Sequence, residues 1–485
     1  MSLSGWGTRA GRLLPITAIV LILSAGSLSA QISPAEYAAR RAELAERLGD
    51  GLYYFQAAVA SSGRQDPDFN YLTGIDGAGA HLLMLRQGDD LAEALFVRGA
   101  PDPESGYRSM EEFDQVLGEM VRSRPGRIVT SLSPSRNEGL ALLVEQLQRT
   151  SGRMSSGSDP SGLELVSPGN TLRQMRGTKS PAEIELIQIA STITSNAHIA
   201  AMRTAEPGMN EFELQAVIEY TFHRNGAARP GFSTIIGSGP NSSVLHWDEN
   251  NRFMEAGDVV VMDIGAEYSG YTSDVTRTIP VSGTFTREQR EIYEIVLAAH
   301  LAAAELAEVE GTPYSALSQA ANQVMAEGLA RLGLIEAPDA TVSGGGGRSR
   351  SQLGLFYYHG LGHGIGLVVH DSMPERSMIV EGACFTIEPG IYVRPNVLDM
   401  LGTGAEADAL REKLAPVVAR YTNIGVRIED SYAFTDKGLV RLSITTPRTI
   451  EEVEAMMAMP NLYNELRDGE TVEKYRIFIP PGNNR

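Results

Sequence analysis

The stretch at residues 259–278, VVVMDIGAEYSGYTSDVTRT, places two aspartates in strand-like segments. Alternation in steps of two predicts a β-hairpin, and we place its turn near Tyr268 and Ser269. With that turn, Asp263 and Asp274 face each other across the strands. Two carboxylates about 5 Å apart repel by roughly 3 kcal/mol at an effective dielectric constant near 20, so a fold that opposes them needs a compensating charge. A divalent cation is the simplest candidate, and a surface hairpin with both acids in water is the alternative.

Three histidines lie close together in a glycine-rich segment, at His359, His363 and His370. A single histidine is usually a packed or surface residue, whereas three beside glycines favour a binding site. The glycines around His363 are expected to let the backbone approach a ligand closely.

Two further acids stand on otherwise apolar strands. In CFTIEPG (384–390), alternation directs Glu388 to the face opposite its apolar neighbours. In GVRIED (425–430), Arg427 and Glu429 share the face opposite the apolar side chains. An amphipathic strand with a solvent-exposed outer face is the alternative interpretation of each.

Four carboxylates and one imidazole are therefore candidate metal ligands: Asp263, Asp274, His363, Glu388 and Glu429. This number suits two cations that share bridging carboxylates, and oxygen-rich ligands favour hard ions such as manganese over a thiolate-type zinc site. Paired metal ions can produce hydroxide from water near neutral pH and stabilise the oxyanion formed when it attacks a carbonyl.

The composition narrows the class of protein. The chain has 485 residues, of which 42% are hydrophobic and 21% charged, which suits a soluble enzyme of two domains. Its formal net charge is −19 and its longest basic run is Arg40-Arg41, which argues against a nucleic-acid-binding surface. The single cysteine, Cys384, excludes an intramolecular disulfide.

The first thirty residues differ from the rest. Arg9 and Arg12 precede an apolar run at residues 13–23, and small residues follow as far as Ala30. This order is typical of a secretory signal and is too short for a membrane-spanning helix, the alternative being an uncleaved anchor. We therefore expect residues 1–30 to be removed and the protein to be exported, periplasmic or extracellular, with no stable membrane association afterwards.

Helix and strand signals divide the remaining chain. We expect an N-terminal α/β domain over residues 31–165, with a helix at residues 34–48 and a β-rich region that includes residues 68–76. Alternating helical and strand-rich regions predict a second domain over residues 166–459, followed by a C-terminal tail at 460–485.

Two segments of this second domain are expected to be irregular. Residues 342–351 (VSGGGGRSRS) are predicted to form a flexible loop. Residues 399–421 are predicted to form a helical insertion that is broken at Pro416.

Several motifs resemble the proline-directed metallopeptidases of the pita-bread fold, the family of aminopeptidase P and prolidase. They are MRGTKSPAEIELI, DIGAEYSGYTSDVTRTIP, HGLGHGIGLVVHD, FTIEPGIYV and GVRIEDS, and QDPDFNYLTGID is similar to that family's N-terminal domain. The resemblance covers most of residues 50–450. It implies an α+β fold with a C-terminal pita-bread catalytic domain after a smaller α/β domain.

The resemblance also implies a role for each candidate ligand. Asp263 would bind one metal ion, while Asp274 and Glu429 would bridge two. The second ion would be held by His363 and Glu388, and Glu388 would also move protons.

Other residues are implied to act on the substrate. A histidine at the place of His370 contacts the oxygen of the scissile peptide in this family, assisted by one at the place of His246. Residues at His359, Tyr392 and Arg427 shape the proline pocket. Candidate catalytic residues are Glu388, His370, His246 and His359, and candidate substrate-binding residues are His359, Tyr392 and Arg427.

The activity implied is hydrolysis of the N-terminal Xaa-Pro bond of peptides with proline at the second position. The cofactors would be two divalent ions, with manganese expected and cobalt or zinc as alternatives, and the family implies a homodimer or homotetramer. One alternative is an Xaa-Pro dipeptidase, in which Arg376 or Arg427 would bind the substrate's free carboxylate. The other is a catalytically silent peptide-binding module on the same fold.

Overall fold

The computed structural model describes residues 31–57, 66–75, 79–99, 106–123, 125–131, 164–343, 349–464 and 467–472. The predicted signal at residues 1–30 lies outside these ranges. Within them, no helix is both long enough and apolar enough to cross a bilayer.

The N-terminal unit is a mixed sheet between helices. Its described strands are β1 Gly51–Gln56, β2 His81–Gln87, β3 Asp90–Val97, β4 Arg108–Ser109, β5 Arg127–Thr130 and β6 Glu164–Val166, in the order β4-β3-β2-β1-β5-β6. Its described helices are α1 Pro34–Leu48, α2 Pro67–Thr73 and α3 Phe113–Arg122. Side chains of β1 alternate between two cores: Tyr53 packs in the core that contains Leu44 of α1, and Tyr54 in the core that contains Leu117 of α3.

Helix α2 corrects a prediction, because residues 68–76 were expected in a β-rich region. Asp66 caps the helix by accepting hydrogen bonds from the backbone N–H groups of Asp68 and Phe69, at 2.9 and 3.4 Å. Pro67 occupies the first turn, and Gly74 ends the helix with a φ of 69°. These start and stop signals outweigh the aromatic residues that favour a strand.

The C-terminal unit carries seven described helices around several small sheets. The helices are α4 Gly169–Gly177, α5 Pro181–Met202, α6 Glu211–Arg224, α7 Arg287–Ala307, α8 Tyr314–Leu332, α9 Ala405–Tyr421 and α10 Ile450–Met457. The strands are β7 Arg229–Pro230, β8 Ile235–Ser238, β9 Val259–Ile264, β10 Ala266–Tyr268, β11 Tyr271–Thr272, β12 Val275–Pro280, β13 Thr341–Ser343, β14 Ser349–Ser351, β15 Cys384–Ile387, β16 Gly390–Val393, β17 Ile424–Arg427, β18 Asp430–Thr435 and β19 Gly438–Arg441.

The strands of this unit form sheets in the orders β12-β9-β8, β11-β10-β7, β15-β18-β19, β16-β17 and β13-β14. One large core joins α5–α8 to the sheets, with Ile218 of α6, Val260 of β9 and Ile292 of α7 among its fully buried members. Helix α5 begins at a capping box in which Ser180 and Glu183 satisfy each other's backbone N–H groups.

Two predicted irregular segments are more regular than expected. Helix α9 continues through Pro416, because buried Leu414 and Val418 anchor it on either side of the proline. The glycine-rich segment is bounded by strands, since β13 pairs with β14. Residues 344–348 between them lie outside the described ranges.

The hairpin that carries the two aspartates has a register different from the predicted one. Tyr268 pairs with Tyr271, and Asp263 lies opposite Thr276 rather than opposite Asp274. The turn is Ser269-Gly270, with φ values of 49° and 84°, and a two-residue turn with both φ values positive suits the twist of a hairpin. Asp274 therefore lies diagonally across from Asp263.

Candidate metal centre

The five predicted ligands come from separate elements that meet at one end of the sheets. Asp263 lies on β9, and Asp274 directly precedes β12. The short breaks between β15 and β16 and between β17 and β18 carry Glu388 and Glu429. His363 belongs to the segment 363–372, which we call the histidine loop.

Measured distances show that these side chains converge. The Nε2 atom of His363 lies 3.5 Å from Asp274 Oδ2 and 3.5 Å from Glu388 Oε1. One ligand atom from each of Asp274, His363 and Glu429 can be chosen so that all three lie within 4.8 Å of one another. Asp263, Asp274, His363 and Glu388 line the same cleft.

Strand β12 holds Glu429 in place. The hydroxyl of Thr276 donates to Glu429 Oε2 at 2.7 Å, and the Glu429 backbone N–H donates to the Thr276 carbonyl at 3.0 Å. The fully buried guanidinium of Arg277 donates to the Glu429 carbonyl and pairs with Asp430, each at 2.6 Å. Thr276 and Arg277 therefore support the site, although the sequence analysis did not single them out.

The acids leave several oxygens without protein partners. Among the described residues, the buried atoms Asp263 Oδ1, Asp274 Oδ1 and Glu429 Oε1 have no hydrogen-bond partner. Burial and then the charge of Glu429 raise the pKa of Asp274 and of Glu388. Burial and then Asp263 raise the pKa of Glu429 to about 7. Crowded, buried carboxylates with free oxygens are a donor set that fits divalent cations.

His363 has the protonation state of a metal ligand. Burial and then the proximity of His370 lower the pKa of His363 to about 4, so its imidazole is neutral near pH 7. Its Nδ1 lies 3.1 Å from the Gly364 carbonyl. Donation from Nδ1 leaves the lone pair of Nε2 directed at Asp274 and Glu388.

Gly362, directly before the histidine loop, and Gly364 within it lie too close to neighbouring backbone to carry a side chain. The predicted close approach of this backbone to a ligand stays a prediction. A Cβ added to Gly362 would lie 2.4 Å from the Thr386 carbonyl, and one added to Gly364 would lie 2.5 Å from the Asp371 carbonyl. The loop is thereby held against β15, where the hydroxyl of Thr386 accepts from the His363 N–H at 3.2 Å.

The candidate metal ligands lie at a cleft of about 540 Å³. His246, His359 and His370 line it, and the rings of His363 and His370 meet edge to face with centroids 4.1 Å apart. Phe232 and Asp248 also line it. Sequence reasoning missed both, although the position of Asp248 two residues after His246 was a usable signal.

The predicted proline-pocket residues form a connected wall. Tyr392 is fully buried behind the cleft, with its hydroxyl 2.8 Å from His359 Nε2 and 3.1 Å from Arg427 Nη1. Arg427 also pairs with Asp263 Oδ2 at 2.6 Å. Burial and then the charge of Arg427 lower the pKa of His359 to about 4. Tyr392 therefore affects the cleft indirectly, through its hydrogen bonds with His359 and Arg427.

The fold and the acidic cleft are those of a metallopeptidase. Residues 185–436 match metallopeptidase family M24, and the chain belongs to that family. The predicted family and the predicted pita-bread fold class are thereby confirmed.

Individual relatives agree with this class. The chain is 32% identical over 459 residues to an Xaa-Pro aminopeptidase of Escherichia coli, covering 88% of this chain and 98% of the relative. It is 32% identical over 361 residues to a human Xaa-Pro dipeptidase, covering 68% and 71%. Among solved structures, zinc-substituted E. coli aminopeptidase P in complex with product matches with a TM-score of 0.73 and 30% identity, covering 88% and 98%.

Proposed function

We propose that this chain is an Xaa-Pro aminopeptidase, which hydrolyses the bond between a peptide's N-terminal residue and a following proline. The observation that carries the proposal is the convergence of five candidate ligand side chains in an M24 family member: four of them line one cleft, and Glu429 lies beside Asp274 and His363. An E. coli relative named Xaa-Pro aminopeptidase is matched over 98% of its length.

We further propose that the cleft binds two divalent cations. The residues that would hold them are Asp263, Asp274, His363, Glu388 and Glu429. Their carboxylate oxygens favour manganese, with cobalt or zinc as alternatives. When bound, such ions lower the pKa of water and stabilise negative charge on a carbonyl oxygen.

The protein groups around the ligands suit peptide hydrolysis. Glu388 reaches towards His363 and, at 3.9 Å, towards His359 Nδ1. We assign Glu388 the transfer of a proton to the departing proline nitrogen. We assign to His370, with His246 beside it on the cleft wall, a hydrogen bond to the oxygen of the scissile peptide.

The wall formed by His359, Tyr392 and Arg427 accounts for a preference for proline. A proline nitrogen within a peptide bond carries no N–H, so shape and ring contacts must select it. The hydrogen bonds of Tyr392 to His359 and Arg427 restrict the movement of both side chains. A wall held in this way favours a rigid ring over a flexible side chain.

The cleft lacks an available cation for the free carboxylate of a dipeptide substrate, judged from its described lining residues. Among its described lining residues Arg427 is the only lysine or arginine, and its side chain is 3% exposed and paired with Asp263. Arg376, the other candidate, is 85% exposed and does not line the cleft. A free carboxylate at the second residue would therefore lack a dedicated cation, which favours longer peptides.

The test compares an Arg-Pro-Pro tripeptide with an Arg-Pro dipeptide, using protein loaded with manganese. We expect cleavage of the tripeptide, slower cleavage of the dipeptide, and about two equivalents of metal. Asp274→Asn should lower tripeptide hydrolysis to less than a tenth and reduce the bound metal, because a carboxylate that would hold the cations is lost.

A matched control is Asp258→Asn, which breaks an ion pair with Arg252 outside the cleft. It should retain metal and activity. Residual hydrolysis of a tenth or more in Asp274→Asn would refute the metal assignment, and faster cleavage of the dipeptide would establish the dipeptidase instead. Protein that takes up no manganese, yet binds the tripeptide without cleaving it, would indicate the silent module.

We also propose that the chain is exported and that residues 1–30 are its signal. The supporting observation is the order of charged, apolar and small residues in that segment. Assembly as a homodimer or homotetramer stays a prediction.

A further inference from the structure

Arg176 joins the two units of the protein at the edge of the cleft. Its Nη1 donates to Asp68 Oδ1 at 2.8 Å, and its Nη2 donates to Asp371 Oδ1 at 2.7 Å. Asp68 lies on α2 of the N-terminal unit, whereas Asp371 directly follows His370. The side chains of Arg176 and Asp371 are 7% and 2% exposed, so the pair is shielded from competing water.

Asp371 in turn closes the histidine loop. Its Oδ2 accepts from the backbone N–H of Leu367 at 2.9 Å, and its Oδ1 accepts from that of Ser372 at 2.7 Å. Its own N–H donates to the Gly364 carbonyl at 2.8 Å. The Asp371 carboxylate thus fixes the backbone at Leu367 and Ser372, on either side of His370.

The N-terminal unit also touches the other side of the centre. A Cβ added to Gly270, in the turn between Asp263 and Asp274, would lie 3.1 Å from Asn70 Nδ2. Asn70 and Asp68 share helix α2. This short helix therefore borders both the aspartate hairpin and, through Arg176, the histidine loop.

We propose that Asp68, Arg176 and Asp371 form a clamp through which the N-terminal unit positions His370 for catalysis. This inference rests on the proposed function, in which His370 contacts the scissile peptide. Arg176 is a positioning residue, because it acts through Asp371 and the loop. A planar guanidinium can bind two carboxylates at once, and the single ammonium of a lysine does so poorly.

The first test is Arg176→Lys, which keeps the charge. We expect kcat for the tripeptide to fall about tenfold and KM to change less than twofold. In a His370→Ala background the same substitution should cause no further loss, because the group it positions is absent. A merely structural defect would reduce the activity of both backgrounds by the same factor.

Arg40→Lys is the matched control. Arg40 is also a buried arginine between two carboxylates, Glu36 at 2.6 Å and Glu183 at 3.1 Å, and the second of these lies in the C-terminal unit. Arg40 also donates to the Tyr71 carbonyl of α2 at 3.2 Å, and all three partners lie outside the histidine loop. We expect this variant to keep kcat within twofold.

A second readout does not depend on activity. Hydrogen exchange of the amides of Leu367, Asp371 and Ser372 should become at least tenfold faster in Arg176→Lys and stay unchanged in Arg40→Lys. The clamp would be overturned if the amides exchanged at the same rate in both variants. It would also be overturned if Arg176→Lys reduced activity by the same factor in the His370→Ala background as in the unmutated protein. If the unmutated protein cleaves no Xaa-Pro peptide, the proposed function fails, and exchange alone decides whether the clamp orders the loop.

Discussion

At the scale of single residues, the acids of the cleft oppose folding of the metal-free protein. The pKa of Glu429 rises from its ordinary value of 4.5 to about 7, through burial and then the charge of Asp263. Between these values the folded chain binds a proton that the unfolded chain releases. The metal-free fold therefore loses stability as the pH rises through about 7.

This behaviour leads to a prediction on thermal stability. The melting temperature of metal-free protein should fall by several degrees from pH 5.5 to pH 8, and by less in metal-loaded protein, because bound cations neutralise the carboxylates. Scanning calorimetry at both pH values, with and without manganese, measures the difference. Glu429→Gln should reduce the fall in metal-free protein. A fall of the same size in this variant would show that Glu429 is not its source.

At the scale of elements, a two-residue turn aligns the aspartates. Ser269 and Gly270 both have positive φ values, so the strand register follows from this turn. The same turn packs beside Asn70 of α2. A shift of the turn would move Asp274 relative to Asp263.

Gly270→Ala tests the role of the turn. Gly270 has a φ of 84° and a close neighbour, whereas Gly283 has a φ of 81° and nothing within 4 Å of an added Cβ. Each alanine should cost about 1 kcal/mol of unfolding free energy, because both adopt a left-handed backbone. Only Gly270→Ala should also lower kcat/KM, by roughly threefold. Denaturant unfolding and tripeptide kinetics measure both effects, and equal kinetics in the two variants would contradict this role.

At the scale of the whole molecule, the N-terminal unit belongs to the catalytic machinery. Its helix α2 reaches both the hairpin turn and, through Arg176, the loop of His370. The motif around Asp68 therefore contributes to the active site, although it contains none of the candidate ligands. Kinetic work therefore requires both units in one chain.

Export can be tested on the complete chain. Produced in a bacterium with a secretory pathway, it should be recovered outside the cytoplasm with Gln31 at or near its N-terminus, because the small residues before it suit signal cleavage. Intact mass and N-terminal sequencing check this. Replacing Arg9 and Arg12 with glutamate should leave full-length protein in the cytoplasm. Full-length, membrane-bound protein from the natural sequence would instead identify an uncleaved anchor.

Local signals in the sequence predicted much of the fold. Helix α1 has the predicted bounds, with Ser33 as its N-cap. Cap signals, periodicity and motifs depend on neighbouring residues, so they can be read without a structure. At α2 the cap signals outweighed composition, whereas at Pro416 the packing of buried Leu414 and Val418 outweighed the local stop signal.

The sequence by itself determined the family, the fold class and the residue types of the metal centre. Only the tertiary structure decided the hairpin register, the convergence of the ligands and the clamp from Asp68 to Asp371. The physical reason is that these contacts join residues up to about two hundred positions apart. Such contacts leave no periodic pattern in the chain, and the clamp additionally requires that both units be folded together.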